Sequence, residues 1–393
     1  MSPSVTSSIS RGKTDVVKGQ DPGSESSSPP TPVSPRLVSL DAFRGFIMFW
    51  IVGGGSLVLG IQSLGHNRLI DMLVYQLSHS PWEGLRFYDC IWPSFMLMVG
   101  VSIPFADARR SLTQTHPQMA RHAVVRFLIL FLLGSMRESI NLGSPRIIEL
   151  SSALQPIAVA YLIAFLLVRK PWRLQAIAGG SILLGYGLLL AFVPVPGVGV
   201  GSYQKNANLV YAVDLALLGH RASEAVFQEG WGTVLSTIPT IATTILGLLL
   251  GQLLRSHFSK GTRIQLMVVI GVSGLVLGYV VSIFVPVVMK MWTVSYGILS
   301  ASWATLMLLL FYVIIDGLEY RKWAFPFAVI GTNALAVYLS ESVTRLSEIV
   351  GIFTKAPAEA MGSYGPLFAA LVFLMVEWFI LFWMYRRKLF LNA

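Results

Sequence analysis

The sequence predicts an all-α, polytopic transmembrane helix bundle with about ten spanning helices and both termini in the cytoplasm. Of its 393 residues, 54% are hydrophobic and only 12% are charged. Soluble proteins carry about 25% charged residues, so this chain cannot cover a surface that faces water. Long apolar runs recur from Leu40 onward, and Lys and Arg are shared unequally between the connections.

The first 35 residues differ from the rest in composition. They are rich in Ser, Pro and Thr, as in Ser26–Pro30, and contain almost no large apolar residues. Such a segment cannot bury enough surface to offset its ordering entropy, and it lacks the apolar stretch of a secretory signal peptide. We therefore expect a disordered cytoplasmic tail over residues 1–35 and a transmembrane domain over residues 36–393.

The apolar runs have the length of membrane spans, about 20 residues each. Backbone groups in lipid must form hydrogen bonds within their own segment, which predicts helices. The spans are expected near residues 41–62, 87–107, 122–138, 148–168, 173–193, 232–254, 264–284, 294–316, 325–346 and 366–385.

The Lys and Arg distribution predicts the orientation. One set of connections is rich in these residues and the alternate set is poor, so the rich set and both termini should be cytoplasmic. The formal net charge of +10 has the same explanation and does not indicate nucleic-acid binding. With Cys90 as the single cysteine and no paired histidines, neither a disulfide nor a metal site is expected.

Two features of the first predicted span suggest a binding role. Asp41 and Arg44 lie three residues apart on one helix face, where they can pair; helix capping and a snorkelling arginine explain them equally well. Gly53, Gly54 and Gly55 weaken the helix and allow a ligand or another backbone to approach closely. Tight helix packing is the alternative for the glycines.

The loop after the first span carries candidate catalytic groups. His79 is followed by Trp82, Glu83 and Asp89 within a few residues. Histidine suits proton or acyl transfer near neutral pH, although most single loop histidines are inert. Polar residues inside other spans, Gln155, Asn333 and Glu341 among them, should face a bundle interior or a water-filled cavity.

The order of these features resembles the heparan-α-glucosaminide N-acetyltransferase family of transmembrane acyltransferases. The family pattern joins R-x-x-S-x-D-x-F-R-G, a glycine run, H-x-x-W-x-G and D-x-x-x-P. Glu341 stands where the family pattern has a histidine in the ninth helix. The matching stretches are Arg36–Gly45, Gly53–Gly55, His79–Gly84, Phe87–Asp89, Trp92–Phe95, Gly100–Ile103, Ala153–Tyr161, Glu229–Gly230, Leu246–Gly247, Trp292–Tyr296 and Gly331–Leu335.

The resemblance implies that acetyl passes from cytosolic acetyl-CoA to the amine of a glucosamine-type sugar on the far side of the membrane. It makes residues 36–393 the acyltransferase domain and His79 the active-site histidine, acting as general base or as nucleophile. Asp89 or Glu83 would orient the imidazole.

The resemblance and the residue chemistry together suggest where each substrate binds. Arginine forms bidentate hydrogen bonds with phosphate. The cytoplasmic end of the bundle, where basic residues are expected, is therefore assigned to the phosphates of acetyl-CoA. The residues assigned to acetyl-CoA are Asp41, Arg44, Gly53, Gly54, Gly55, Arg109, Arg110 and Gln155, and those assigned to the acceptor are Trp82, Glu83, Trp292, Asn333 and Glu341.

Two other functions fit the sequence. One is an O-acyltransferase that modifies a surface glycan; the other is a transporter without chemistry, whose polar residues line a substrate path. The expected partners are acetyl-CoA, an amino sugar or glycan acceptor and the lipid bilayer, with a homodimer left open and no nucleic acid. We expect an integral protein of a bacterial inner (plasma) membrane.

Overall fold

We describe the fold from a computed structural model, which covers residues 37–145, 150, 152–219 and 228–391. The predicted tail over residues 1–35 lies outside this part of the chain.

The predicted all-α bundle is confirmed. The described residues form fourteen α-helices and one two-stranded hairpin. In chain order the elements are α1 (Val38–Gln62), α2 (Arg68–Leu77), α3 (Ile91–Arg110), α4 (His116–Leu142), α5 (Leu154–Leu167), α6 (Trp172–Phe192), β1 (Tyr203–Gln204), β2 (Ala207–Asn208), α7 (Leu209–Leu218), α8 (Thr237–Arg255), α9 (Lys260–Ser282), α10 (Val294–Tyr312), α11 (Phe325–Thr332), α12 (Ala334–Thr344), α13 (Leu346–Ala360) and α14 (Gly365–Arg386).

The number of spans differs slightly from the expected ten. Among the described residues, eight helices are long and apolar enough to cross a membrane, and the pair α11–α12, bent by 60°, makes nine if it is one span. The predicted span near residues 148–168 contains instead the 14-residue helix α5, which covers only about 21 Å. Arg169, just beyond α5, bonds to Asp107 near the end of α3 (3.1 Å) and contacts Met119 near the start of α4 (3.2 Å). Helix α5 therefore runs antiparallel to α4 as a short central helix.

Glycines bring two pairs of helices into close contact. A Cβ atom at Gly100 of α3 would collide with the Thr244 carbonyl of α8, and one at Gly247 would collide with the Leu97 carbonyl of α3. Gly45 of α1 is packed against α11 in the same way. Small residues permit this close approach of helix backbones. In lipid, such packing drives helix association, because the hydrophobic effect does not act between helices there.

This packing predicts that Gly100→Ala is destabilising. Alanine normally favours a helix over glycine by about 0.5–1 kcal/mol, but overpacking a close contact costs about 1–3 kcal/mol. Gly180→Ala in α6 is the matched control, because a Cβ there meets nothing within 4 Å. Thermal unfolding in detergent should show a lower midpoint for Gly100→Ala and an equal or higher one for Gly180→Ala; equal midpoints would contradict the packing argument.

Hydrogen bonds show which helix ends meet at one end of the bundle. At one end, Asp316 after α10 accepts from the Ser39 amide of α1 (3.1 Å), and its carbonyl accepts from Lys260 of α9 (3.2 Å). Arg255 at the end of α8 donates to the Pro104 carbonyl in α3 (2.8 Å). This basic end contains the starts of α1 and α9 and the ends of α3, α8 and α10. His79, in the loop that leads into α3, lies at the opposite end.

Candidate active site

His79 and Asp89 form a hydrogen-bonded pair. The distance from His79 Nδ1 to Asp89 Oδ1 is 2.9 Å; the histidine side chain is 42% exposed, and the aspartate side chain is fully buried at 0%. A carboxylate can only accept, so the proton of a neutral imidazole lies on Nδ1 and leaves Nε2 available as a base or nucleophile. This is the geometry of a histidine oriented by a carboxylate.

The chain holds Asp89 in place from several sides. Asp89 lies in the 3-10 turn Tyr88–Cys90, which continues into α3. Its carboxylate also accepts from the amides of Ser80 (3.3 Å to each oxygen) and Arg86 (3.0 Å), and its carbonyl accepts from the Tyr296 hydroxyl (2.7 Å). These hydrogen bonds fix the carboxylate beside the imidazole of His79. The role of Asp89 in orienting that ring during catalysis stays a prediction.

Glu83, the alternative orienting group, takes another position. Its side chain is exposed, and its backbone pairs with Val288 and accepts from the Ser80 hydroxyl (2.6 Å). The neighbouring Gly84 amide donates to the Val287 carbonyl (2.8 Å). This stretch therefore fixes the His79 loop to the connection before α10.

Tyr88 links the glycine run to His79. The rings of Tyr88 and His79 meet edge to face with centroids 4.7 Å apart, and the Tyr88 hydroxyl donates to the Trp50 carbonyl (3.2 Å). Side chains at two of the three glycine positions would collide with their neighbours: Gly54 with Tyr88, and Gly53 with Leu374 of α14. The alternative of tight packing thus accounts for Gly53 and Gly54.

Gly55 differs from the other two glycines, because a Cβ there would meet nothing within 4 Å. An acetyl-CoA contact at the glycine run stays a prediction, and Gly55 is the position with open space for it.

Trp231 forms a second wall beside His79. Its ring centroid is 5.6 Å from that of His79, and its indole N–H donates to Glu229 Oε2 (2.7 Å). The Lys290 ammonium lies 5.2 Å from the Trp231 ring, 3.5 Å from Glu229 Oε2 and 3.0 Å from the Glu229 carbonyl. The hydrogen bond from Trp231, with a further contribution from Lys290, lowers the pKa of Glu229, whereas burial lowers the pKa of Lys290. An aromatic ring thus borders the histidine, and a carboxylate and an ammonium group contact that ring's residue.

Asp214 positions this wall. It is fully buried in α7, and its carboxylate accepts from the amides of Thr233 (2.7 Å) and Val234 (3.0 Å). The Gly232 amide donates to the Lys290 carbonyl (2.9 Å). Both contacts fix the short connection that carries Trp231 to the bundle.

Trp82 and Trp292, both assigned to the acceptor, lie in packing positions. The Trp82 indole N–H donates to the Tyr203 carbonyl of the hairpin (2.9 Å). Trp292 is 1% exposed and packs edge to face against Trp92 and Tyr296. Acceptor binding by Trp82 and Trp292 stays a prediction. Trp231 lies against His79 but is not among the residues assigned to the acceptor. In the sequence, the one feature that points to Trp231 is its position next to Glu229–Gly230, a stretch that matches the family pattern.

Four of the eight residues assigned to acetyl-CoA, Asp41, Arg44, Arg109 and Arg110, lie at the basic end. Arg44 donates from Nη2 to the Ser102 hydroxyl (2.7 Å), and Asp41 lies one turn earlier on α1. Arg109 and Arg110 occupy the last turn of α3. Gln155, which is also assigned to acetyl-CoA, lies in α5. It is 1% exposed and donates to the Ser135 hydroxyl of α4 (3.0 Å).

Asn333 and Glu341 belong to the bent pair α11–α12. Asn333 is completely buried at the break between the two helices; its Oδ1 accepts from the Leu391 amide (3.1 Å), and its Nδ2 has no hydrogen-bond partner within the described residues. The Glu341 carboxylate accepts from Ser347 just beyond α12. Their assignment to the acceptor stays a prediction.

No family model matches the chain. It is 25% identical to the human heparan-alpha-glucosaminide N-acetyltransferase over 86% of its own length and 59% of that protein. It is 24% identical to the mouse protein of the same name over 78% of its own length and 53% of that protein. The chain thus spans little more than half the length of these relatives, and the similarity supports a distant, family-level relationship to membrane acetyltransferases.

Proposed function

We propose that this protein transfers an acetyl group from acetyl-CoA, bound from the basic end of the bundle, to the amine of a sugar bound beside His79 at the opposite end. The observation that carries the proposal is the His79–Asp89 pair, with its Nδ1–Oδ1 distance of 2.9 Å and its half-exposed imidazole. The two distant relatives are N-acetyltransferases, which favours acetyl transfer over other chemistry.

Acetyl-CoA is an anionic substrate, and the basic end has the complementary charge. Arg44, Arg109 and Arg110 lie at the starts and ends of helices α1 and α3 there. Guanidinium groups bind phosphates through paired hydrogen bonds. With the phosphates at this end, the thioester is directed into the bundle toward the histidine.

The chemistry at His79 can be written as a balanced transfer. The acceptor amine forms a bond to the acetyl carbonyl carbon, the carbon–sulfur bond breaks, and His79 Nε2 takes the proton of the amine and returns it to the departing sulfur. In the alternative route, Nε2 attacks the acetyl carbon and the carbon–sulfur bond breaks, which forms an acetyl-imidazole and releases CoA as a thiolate. The amine then attacks the acetyl carbon, the bond from that carbon to Nε2 breaks, and the proton of the amine passes to Nε2. Asp89 stabilises the positive charge on the ring in either route.

Trp231 and Glu229 offer the contacts that an amino sugar needs. An indole ring packs well against the apolar face of a sugar, and the Glu229 carboxylate, 60% exposed, can accept hydrogen bonds from hydroxyl or ammonium groups. The Trp231 ring lies 5.6 Å from that of His79, and Glu229 is hydrogen-bonded to Trp231.

One observation favours the transporter alternative. The break at Asn333 divides a span into two half-helices bent by 60°, and discontinuous helices form the substrate sites of many transporters.

Purified protein supplied with acetyl-labelled acetyl-CoA tests the proposal against both alternatives. We expect label on glucosamine-type acceptors and none on sugars whose amine is replaced by hydroxyl. Transfer to the hydroxyl sugars would indicate the O-acyltransferase. Uptake of an unmodified sugar into vesicles without transfer would indicate the transporter. Either result would reject the proposal.

Arg44→Ala is expected to weaken acetyl-CoA binding about tenfold or more, because a charge-assisted hydrogen bond contributes about 1.5–3 kcal/mol. Titration calorimetry on folded protein measures the affinity. Ser102→Ala is the matched control, because it removes one hydrogen-bond partner of Arg44 and leaves the guanidinium in place. Equal losses in the two variants would assign Arg44 to helix packing instead.

A further inference from the structure

A cavity of about 230 Å³ lies between α1, α11, α12 and α14, away from the His79 site. Eight of its nine lining residues are apolar and one is a carboxylate. The lining consists of Phe49, Pro326, Phe327, Ile330, Val337, Leu374, Glu377, Trp378 and Leu381.

The carboxylate belongs to Glu377, in the middle of the spanning helix α14. The residue is 6% exposed, and its Oε1 accepts one hydrogen bond from the Ser340 hydroxyl of α12 (3.0 Å). Within the described part of the chain, no Lys, Arg or His forms an ion pair with it. Glu341, the nearest acidic residue in sequence to Ser340, is engaged by Ser347.

A carboxylate at this depth is costly for the fold. Ionisable groups inside membrane spans are rare, and they mark functional sites or ion pairs. One hydroxyl satisfies one of the roughly four lone-pair positions of a carboxylate. Among the described residues, none supplies the cation that would complete this group.

Aromatic rings form part of the cavity wall. Phe49, Phe327 and Trp378 line it beside Glu377. Trp378 is held by a hydrogen bond to the Pro326 carbonyl (3.2 Å) and by stacking on Phe382, with centroids 5.2 Å apart and planes 7° apart. Aromatic faces attract cations, and aromatic cages are the usual recognition sites of ammonium groups.

We propose that this cavity binds a small hydrophobic ammonium ion, with its charge on Glu377 and its apolar body among the aromatic rings. An apolar cavity of about 150 Å³ accommodates benzene, so this volume fits a single aromatic or branched aliphatic amine. The site is independent of the proposed acetyl transfer, because neither Glu377 nor these rings belong to the His79 site.

Labelled benzylamine tests the proposal with the full-length protein in lipid nanodiscs. We expect saturable binding of one equivalent, and a loss of at least tenfold in affinity for Glu377→Gln. Glutamine keeps the volume of the side chain and an oxygen that accepts from Ser340, so this variant should fold; thermal unfolding checks that it does. Phe49→Leu should give a smaller loss, because it keeps an apolar wall but removes a ring face.

Benzyl alcohol, the neutral analogue of similar size, separates charge recognition from apolar filling. It should displace labelled benzylamine only weakly. Three results would overturn the proposal: no saturable binding to the wild-type protein, equal affinity in folded Glu377→Gln, or displacement by benzyl alcohol as effective as by unlabelled benzylamine.

Discussion

Replacing His79 with alanine is expected to reduce acetyl transfer by about 10²–10⁴-fold, the usual contribution of general acid–base catalysis, while acetyl-CoA binding stays unchanged. The reason is the separation of the two ends of the bundle. The phosphates are assigned to the basic end near Arg44, whereas His79 lies in the loop before α3 at the other end. Turnover with a saturating sugar and calorimetry with acetyl-CoA measure the two effects separately.

The chain contains a matched control for this change. His66 pairs with Asp71 through the same atoms, Nδ1 and Oδ1, at 3.1 Å, but the two side chains are 83% and 57% exposed. His66→Ala therefore removes a histidine–aspartate pair without a buried carboxylate behind it, and transfer should stay near the wild-type rate. Similar losses in both variants, or a His79→Ala enzyme that keeps more than about a tenth of its turnover, would exclude His79 as the catalytic group.

Labelled acetyl-CoA without acceptor distinguishes the two routes that remain. A nucleophilic His79 would accumulate an acetyl-imidazole adduct on the wild-type protein, and the adduct would be missing in His79→Ala. Direct transfer with His79 as base would leave the protein unlabelled. The two outcomes are exclusive because only the first route forms a bond between the protein and the acetyl group.

Most of the fold could be predicted from the sequence because lipid imposes length and hydrogen-bonding rules on every span. Nine of the ten expected runs contain helices that meet those rules, counting the bent pair α11–α12 once. The exception, α5, is buried at the bundle centre, with Leu154, Ile157 and Tyr161 each less than 5% exposed. A helix surrounded by other helices need not match the bilayer thickness, and hydropathy alone does not reveal that.

The site could be predicted only in part. His79 and Asp89 are ten residues apart in one loop, so their pairing was within reach of the sequence. Trp231 reaches His79 from a connection about 150 positions later, and such contacts depend on how helices pack. Hydropathy also does not show how deeply a tryptophan is buried, so the 1% exposure of Trp292, which is assigned to the acceptor, could not be predicted.

Asp89→Asn is expected to reduce transfer by up to about 10⁴-fold, the loss that follows the equivalent change in a Ser-His-Asp triad. The amide oxygen of asparagine can still accept from the Arg86 amide, which the carboxylate does at 3.0 Å in the wild-type protein. The amide nitrogen then faces His79 Nδ1 as a donor. This forces the proton of the neutral imidazole onto Nε2, where it blocks the nitrogen that must accept the proton of the amine.

The same substitution must be separated from simple unfolding, because Asp89 is buried and accepts four hydrogen bonds at its carboxylate, from His79, Ser80 (to both oxygens) and Arg86. Acetyl-CoA affinity reports on the basic end, and it should be retained if only the orientation of the ring has changed. Asp71→Asn alters the exposed His66 pair and should leave transfer intact. Asp89→Asn with normal turnover would show that the carboxylate does not set the tautomer. Loss of both turnover and acetyl-CoA binding would instead assign Asp89 to the folding of the loop. A change confined to the proton on one imidazole cannot weaken a phosphate contact at the far end of α3.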